Sequence, residues 1–304
     1  MNNHNIYLYG MITCTNAVLL HGDFPQADGY SEIKEKFVFP GGETGVAAAI
    51  LTSLGCKVKM DGNYLGFNTR SIINKFYENI GVDISRLHYD PDYEGTEEII
   101  IIGKNTRTAF GQFTSLYEDY YSKKIIRWNT PIEEDIKGVT AAGIDPFFGG
   151  ESILAAHYCH KNNVPFVTID VKFDHAMCKL ASIIAVSSDW IRDSMPEYYN
   201  DEGKIKLHKK YTENTNALVI FTGGSGTTVY GRRGWINKID AYKVNAVSTL
   251  SAGDTFKAGC IYGLSLGWDD NEIIKFSTAC AAAACTRFPL PFNPVKLEDV
   301  MSLL

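Results

Sequence analysis

Asp254 is the residue whose position best indicates chemistry, because it follows a turn of small residues, Ser251-Ala252-Gly253. Apolar residues then follow at helical spacing: Phe256, Cys260, Ile261 and Leu264. Amide groups at the N-terminus of a helix lack partners within the helix and attract anions. A carboxylate beside them can take a proton from a hydroxyl, while the amides stabilise a phosphoryl group in transfer. The structural alternative is an ordinary helix cap, because Ser251 and Asp254 are both common N-cap residues.

A glycine-rich turn lies upstream, where Thr222-Gly223-Gly224-Ser225-Gly226 follows a predicted buried strand at residues 218–221. Glycines let the backbone approach phosphates and ribose closely. A hairpin is the alternative, because residues 227–230 continue as a β-rich segment. Together with the Asp254 turn, the pattern favours a nucleotide site.

The sequence Ser251-Ala252-Gly253-Asp254 resembles the Gly-Ala-Gly-Asp signature of the ribokinase-type carbohydrate kinases, also called the phosphofructokinase-B family, with Ser251 in place of the first glycine. Residues 260–268 and 273–284 resemble the helix pair that closes the nucleotide site of that family. The resemblance extends from residue 6 to about residue 290. It implies ATP-dependent phosphorylation of a primary hydroxyl of a sugar or sugar derivative. Asp254 would be the base, and the amides of the turn would form the anion hole.

The nucleotide side of the resemblance includes the glycine turn, which is one residue shorter than the family's Thr-x-Gly-x-x-Gly loop. It implies nucleotide contacts at these positions: Thr222, Gly224, Gly226, Ser187, Cys280 and Ala283. Where the family commonly has Asn-x-x-Glu near Mg²⁺, this chain leaves Asp189 as the nearby acid. Mg²⁺ remains an expected cofactor, because it keeps most of its waters and needs few protein ligands. The family's Asp-Thr-Thr cation loop is replaced by Ser248-Thr249-Leu250, so we expect little activation by K⁺.

The acceptor side departs further from the family. Gly41-Gly42 resembles the family's Gly-Gly substrate motif, although Val46 replaces its usual Asn. The first loop lacks the acid that usually holds two sugar hydroxyls, so we expect a neutral replacement from Thr13, Thr15 or Asn16. A hydrogen bond to a charged group is about twice as strong as a neutral one, so the acceptor is not expected to be the family's simplest sugar bound in the usual way. Further candidates are Asn63 and Asn68, whose amides suit hydroxyls, and Arg107, which suits a phosphate or carboxylate. Each of these three would otherwise be an ordinary loop residue.

Short β-rich segments alternate with helical patterns along the chain, which predicts a parallel sheet covered by helices. Strands are expected at residues 6–9 and 57–60, and helices at residues 44–54 and 71–79. The resemblance implies an α/β fold, a three-layer αβα sandwich with a mainly parallel central sheet and a small β lid. Residues 1–304 are predicted to form a single kinase domain, with lid segments at approximately 12–40 and 94–114. A lid would exclude water that competes for the phosphoryl group, and it could also provide a homodimer contact.

Composition excludes several other classes of protein. The chain has 304 residues, 45% of them hydrophobic, and a net charge of -6, which argues against a general nucleic-acid or membrane-surface role. Its seven scattered cysteines indicate reduced thiols rather than a disulfide framework, and no signal peptide or long apolar run is visible. We therefore expect a cytoplasmic enzyme whose partner is a small-molecule sugar.

Two alternatives to a sugar kinase remain open at this point. A nucleoside kinase of the same fold would need an apolar slot for its base, which Phe110 and Phe113 in the lid segment could supply. A catalytically weak relative could bind sugar or nucleotide as a sensor. The replaced acid, Asn and Glu positions favour that relative, whereas the intact Asp254 turn opposes it.

Overall fold

The computed structural model describes residues 4–104 and 107–304, which build one large sheet and one small sheet. The large sheet has the strand order β12-β11-β10-β9-β8-β7-β1-β4. Its strands are β1 (Asn5–Gly10), β4 (Lys57–Gly62), β7 (Ala141–Ile144), β8 (Phe166–Ile169), β9 (Ile183–Ser187), β10 (Leu218–Thr222), β11 (Thr227–Arg232) and β12 (Trp235–Asp240). Neighbouring strands from β4 through β10 pair in parallel, and β11 and β12 add an antiparallel edge.

Helices cover both faces of this sheet. They are α1 (Glu43–Ser53), α2 (Arg70–Ile80), α3 (Thr114–Glu118), α4 (Glu133–Ile136), α5 (Gly149–Lys161), α6 (Ser188–Ser194), α7 (Asp201–Asn214), α8 (Ala252–Leu266), α9 (Asp270–Cys285) and α10 (Leu297–Met301). Alternate residues of a strand point to opposite faces, and β1 shows this directly. Ile6 and Leu8 pack in an apolar cluster with α1, α8 and α9, whereas Tyr7 and Tyr9 pack with α5 and α7. The result is the expected three-layer arrangement.

Helices α8 and α9 form the layer that carries the Asp254 turn. Helix α9 begins with a capping box in which Asp269 and Glu272 satisfy each other's backbone amides. Gly259 lets the two helices approach closely, because a Cβ there would stand 2.8 Å from the Cα of Ser277. Helix α8 ends at Gly267, which adopts the left-handed conformation typical of a glycine after a helix. These features define the ends of the pair and fix α8 against α9.

The small sheet has the order β3-β2-β5-β6, formed by β2 (Thr13–Leu20), β3 (Ile33–Gly41), β5 (Glu97–Ile102) and β6 (Arg107–Gly111). Strand β2 pairs antiparallel with β3 and parallel with β5, and β5 pairs antiparallel with β6. Its inner face carries buried residues of β2, including Thr13, Thr15 and Ala17. Its outer face carries a row of residues in register across all four strands: Val38, Asn16, Ile99 and Phe110. The sheet therefore has one buried face beside the large sheet and one open face.

Among the described residues, no helix combines the length and the apolar character that crossing a bilayer requires.

Candidate active site

The first turn of α8 presents uncapped amides. Ser251 is the N-cap residue, yet its side chain makes no capping hydrogen bond. The Thr255 amide donates to the Ser251 carbonyl over 3.0 Å, so the amides of residues 252–254 have no partner in the helix. The Ala252 amide makes one long contact, 3.4 Å, with the Thr249 carbonyl. The side-chain capping alternative is therefore absent here, and the turn is open to an anion.

Ser251 itself adopts a left-handed conformation, with φ 63° and ψ 14°. Glycine occupies this region without strain, whereas a residue with a Cβ does so at a cost. This explains physically why the resembled signature has a glycine at this position. Ser251 keeps the geometry of the turn despite the substitution.

Asp254 is half-buried in the first turn of α8. Burial raises the pKa of its carboxyl group to about 6, and repulsion from Asp145 and Glu98 acts in the same direction. Attraction to Lys257 and a hydrogen bond with Ser251 oppose this rise in pKa. Asp254 is therefore ionised at neutral pH and more basic than an ordinary aspartate, as a general base requires.

An ion pair that the sequence analysis did not identify lies behind Asp254. The ammonium group of Lys257 bonds to Oδ1 of Asp145, and both side chains are at most 1% exposed. Oδ2 of Asp145 accepts from Thr44 Oγ1 at 2.8 Å and from the Met11 amide at 3.3 Å. Asp145 directly follows β7, and the ends of parallel strands are common site positions, so the strand pattern offered one signal.

The acceptor side is built around Glu98, a second acid that the sequence analysis missed. Thr15 Oγ1 donates to Oε1 of Glu98 at 2.5 Å, and Thr13 Oγ1 donates to the same oxygen at 3.3 Å. Both threonines are 1% exposed, and Glu98 is half-buried. A Cβ on Gly41 would stand 2.0 Å from Thr15 Oγ1 and 3.0 Å from Glu98 Oε1, so only glycine fits there. The structure thus brings Thr13, Thr15 and Gly41 together with a carboxylate from β5.

Gly42 and Glu43 continue this group at the start of α1. Gly42 has φ 79°, and a Cβ there would stand 2.5 Å from the Met11 carbonyl oxygen. It is the N-cap of α1 and no side chain caps that helix. Burial raises the pKa of Glu43 to about 8, with repulsion from Asp254 and Asp145 as the next causes. Glu43 therefore lies close enough to the candidate base for the two charges to interact.

Two of the predicted acceptor residues have structural partners instead. Asn63 is 1% exposed, and its amide bonds Ile12 in both directions, at 2.8 Å and 2.9 Å. It holds the loop before β2 in place rather than facing open space. Asn16 lies on the outer face of the small sheet, where its amide donates to Glu97 at 3.3 Å.

Asn68 is exposed in the turn before α2, with its backbone amide bonded to the Glu94 carbonyl. No hydrogen bond or ion pair of the described chain joins it to Asp254 or Glu98. Arg107, in contrast, reaches the phosphoryl side: its Nη1 donates to the Thr249 carbonyl at 2.9 Å, two residues before Ser251. A residue of the small sheet is thereby placed beside the open turn.

The two aromatic residues considered for a nucleoside base lie in different surroundings. Phe110 lies in the outer row of the small sheet and is 48% exposed, on the face opposite Thr15 and Glu98. Phe113 packs with the apolar cluster beneath β1 and α5. Its ring also occupies the place of a side chain at Gly111, because a Cβ there would stand 2.2 Å from the Phe113 ring. Gly111 lies opposite Glu98 in the register of β5 and β6, so Phe113 borders the group around Glu98, whereas Phe110 does not.

On the nucleotide side, the glycine turn follows β10 as expected. Gly224 has φ 61°, and the Gly226 amide bonds the Gly223 carbonyl at 2.9 Å, which closes a tight turn. The Thr222 carbonyl accepts from Ser188. Ser187 caps α6 through the Trp190 amide at 3.1 Å and also contacts Asp170, so its hydroxyl is already engaged.

Cys280 and Ala283 lie inside α9 and are 0% and 3% exposed. Their side chains form part of the apolar cluster beneath the large sheet. They can support a nucleotide site from behind, but they do not present polar atoms to it.

Asp189 does not form a metal centre with other acids. Its side chain is 68% exposed and pairs with Arg192 at 2.7 Å. Within residues 4–104 and 107–304, no three His, Cys, Asp or Glu side chains are grouped to hold a metal ion. The residues present therefore do not fit a protein-held Mg²⁺ site at Asp189.

Comparison with known proteins gives the family context. A model of the pfkB family carbohydrate kinases matches residues 12–290. A 5-dehydro-2-deoxygluconokinase from Clostridium perfringens is 25% identical over 292 residues, which cover 86% of this chain and 83% of that protein.

Solved structures confirm the predicted fold. A nucleoside kinase from Methanocaldococcus jannaschii, an archaeal member of the ribokinase family, superposes with a TM-score of 0.77 and 15% identity, covering 98% of this chain and 97% of that one. An Arabidopsis thaliana ribokinase in complex with ribose and ATP has a TM-score of 0.74 and 14% identity, covering 99% of this chain and 98% of that one. These similarities bear out the α/β fold that the family resemblance implied.

Proposed function

Because this chain belongs to the pfkB family of carbohydrate kinases, we propose that it transfers the γ-phosphoryl group of ATP to a primary hydroxyl of a sugar or sugar derivative, with Asp254 as the general base. The observation that carries this proposal is a half-buried carboxylate directly beside uncapped helix amides. A hydroxyl bound there faces a base on one side and a site for developing negative charge on the other.

The reaction follows from that geometry. Asp254 accepts the proton of the acceptor hydroxyl as its oxygen forms a bond to the γ-phosphorus of ATP. The bond between that phosphorus and the bridging oxygen breaks, and ADP leaves with the electron pair. The amides of Ala252 and Gly253, at the positive end of α8, stabilise the charge on the phosphoryl oxygens. The proton on Asp254 then passes to solvent after the phosphorylated sugar departs.

On the acceptor side, we assign the contact with sugar hydroxyls to Glu98. One of its oxygens is held by Thr13 and Thr15, and no hydrogen bond within the described chain engages the other. That second oxygen can accept from an acceptor hydroxyl as a charged partner. Glu98 thus supplies the carboxylate that the first loop of this chain lacks.

The charge of this group indicates what kind of acceptor fits. Glu98 and Asp254 lie close enough for their negative charges to interact, and the nearby Lys257 is already paired with Asp145. The substrate named for the Clostridium perfringens relative is a sugar acid, and a carboxylate placed here would be repelled. We therefore assign this chain a neutral sugar or sugar derivative as its acceptor.

For the nucleotide, we assign the backbone of Thr222, Gly224 and Gly226 to the phosphate and ribose side. Cys280 and Ala283 form the apolar support beneath it, and Ser187 fixes the neighbouring turn. The solved Arabidopsis thaliana relative holds ATP, which supports ATP as the donor here. We propose that Mg²⁺ enters with the nucleotide phosphates, since it needs few protein ligands.

The small sheet, formed within segments 12–40 and 94–114, would act as a lid on a single kinase domain of residues 1–304. Glu98 and Arg107 both come from it, so closing the lid would complete the acceptor contact and bring a positive charge toward the phosphoryl group. Its outer row of Val38, Ile99 and Phe110 is apolar and exposed, which supports a homodimer through this face.

The test is an ADP-release assay with neutral sugars, sugar acids and nucleosides as acceptors. We expect turnover with a neutral sugar, and a loss of at least about 10²-fold in Asp254→Asn, the usual size of a general-base effect. Unchanged turnover in that variant would remove Asp254 from the mechanism. Preference for a sugar acid would overturn the assignment of a neutral acceptor, and binding of nucleotide without turnover on any acceptor would indicate a sensor.

A further inference from the structure

Lys257 is a charged residue in an otherwise apolar part of α8, one turn beyond Asp254. Its side chain is 1% exposed and its ammonium bonds to Asp145, which is 0% exposed. Residues three apart lie on the same side of a helix, so the ion pair stands directly behind the candidate base.

Asp145 connects this ion pair to three other elements. Its Oδ2 accepts from Thr44 at the start of α1 and from the amide of Met11 just after β1. Its own position follows the last residue of β7. One carboxylate thereby ties α8, at the turn after Asp254, to the ends of β1 and β7 and to α1.

Two glycines on neighbouring strands leave room for this arrangement. A Cβ on Gly10 would stand 2.0 Å from Oδ2 of Asp145 and 2.5 Å from Oγ1 of Thr44. A Cβ on Gly143 would stand 3.4 Å from Cε of Lys257 and 2.7 Å from the side chain of Ile261. Gly10 therefore leaves room for the Asp145 carboxylate and its partner Thr44, and Gly143 leaves room for Ile261 beside the lysine side chain.

Stability alone does not account for such a pair. Removing two charges from water costs about as much as their attraction returns, and well-packed apolar replacements are often as stable or more so. The location of the pair offers another explanation, because it stands beside the one carboxylate that must stay aligned with a hydroxyl.

We propose that the Lys257–Asp145 ion pair is a positioning device for Asp254. It clamps α8 to the sheet one turn beyond Asp254 and provides a buried positive charge behind the base. This inference rests on the proposed role of Asp254. Lys257 touches neither acceptor nor nucleotide in this scheme, and it acts through Asp254.

The positive charge of Lys257 is needed because acidic groups lie near Asp254. Glu98 from β5 and Asp145 after β7 raise the pKa of Asp254, Glu43 from α1 is held protonated at neutral pH by its own raised pKa of about 8, and Arg107 from β6 donates to the Thr249 carbonyl. Lys257 lowers the pKa of Asp254 against these groups. Without it, the base would hold its proton to a higher pH.

The test is the pH dependence of turnover in Lys257→Met, which keeps the length of the side chain and removes its charge. We expect a fall in kcat of about tenfold to 100-fold, as for a misplaced catalytic group, and an acid limb shifted to higher pH. The KM for ATP should stay unchanged. Lys257→Arg, which keeps the charge, should retain the acid limb of the parent enzyme.

A double variant separates positioning from folding. Losing one partner leaves a buried charge and can unfold the protein, whereas Lys257→Met with Asp145→Asn removes both charges. We expect this double variant to regain the melting temperature of the parent protein while kcat stays low. Recovery of both quantities would overturn the proposal, because the pair would then serve folding alone.

The matched control is Lys59→Met, which breaks the pair between Lys59 and Asp135 at 2.7 Å on β4. We expect it to leave both kcat and the acid limb unchanged.

An acid limb in Lys257→Met equal to that of the parent would also overturn the proposal. The Asp254→Asn variant tests the base separately. If that variant is active, the proposed function is rejected. If it is inactive while Lys257→Met keeps the pH profile of the parent enzyme, only the inference about the ion pair is rejected.

Discussion

The Thr15 hydroxyl donates to Oε1 of Glu98 over 2.5 Å and thereby joins β2 to β5 at the acceptor side of the site. The two residues are 83 positions apart in the chain. The first loop has no acid of its own, and this hydrogen bond holds a carboxylate of the neighbouring strand beside it. The acceptor contact is therefore a property of the small sheet as a whole.

Replacing this acid should weaken acceptor binding. In Glu98→Gln, a charged hydrogen bond to the acceptor becomes a neutral one, so we expect its KM to rise roughly 10-fold to 100-fold, equivalent to about 1.5–3 kcal/mol. The KM for ATP should not change. Glu97→Gln is the matched control, because Glu97 bonds Asn16 on the other face of the same strand. Equal effects of the two substitutions would refute the assignment of Glu98.

The activity should fall when Asp254 becomes protonated. Its pKa is raised to about 6, so the base is lost as the pH falls through that value, well above the range of an ordinary aspartate. We expect kcat/KM for the acceptor to have an acid limb near pH 6, measured from pH 4.5 to 8 with the nucleotide saturating. A limb near pH 4 would show that burial does not govern this group.

Glu43 should make the stability of the protein depend on pH. Because its pKa in the folded state is raised to about 8, the folded protein binds this proton more tightly than the unfolded chain. The stability that it contributes is present at low pH and is lost as the pH rises through 8. We therefore expect Glu43→Gln to raise the melting temperature at pH 9 more than at pH 5. Glu94→Gln, at an exposed position, should show no such difference.

The left-handed conformation of Ser251 leads to a stability prediction. Ser251→Gly should keep turnover and raise the free energy of unfolding by up to about 1 kcal/mol, because glycine relieves the strain of φ 63°. Ser251→Val should lower both quantities, since a β-branched residue fits this region poorly. Chemical denaturation together with the ADP-release assay measures both effects. A stable and fully active Ser251→Val enzyme would contradict the strain argument.

The apolar outer row of the small sheet should control self-association. Phe110 is 48% exposed there, so Phe110→Glu would place a charge in the contact and is expected to convert a dimer to a monomer in sedimentation experiments. Phe67→Glu is the control, because Phe67 is 54% exposed in a loop before α2. A parent protein that sediments as a monomer would remove the dimer proposal.

Much of the fold could be predicted because it is encoded locally. The helices expected at residues 44–54 and 71–79 form as Glu43–Ser53 and Arg70–Ile80, and the first strand forms as Asn5–Gly10. The Asp254 turn could be recognised for the same reason, since small residues before a helical pattern leave the amides open. The amide of Asn63 suits a sugar hydroxyl, and its segment resembles a sugar-binding segment of the family, yet the structure buries it against Ile12.

The alternation of strands and helices, the glycine turns and one carboxylate at a helix start can all be recognised along the chain. Which charges surround that carboxylate depends on how distant segments pack together. Lys257 and Asp145 are 112 positions apart, and neither belongs to a motif that spacing reveals. Periodicity reports which face of an element is buried, but which side chains meet across elements depends on strand register and close packing.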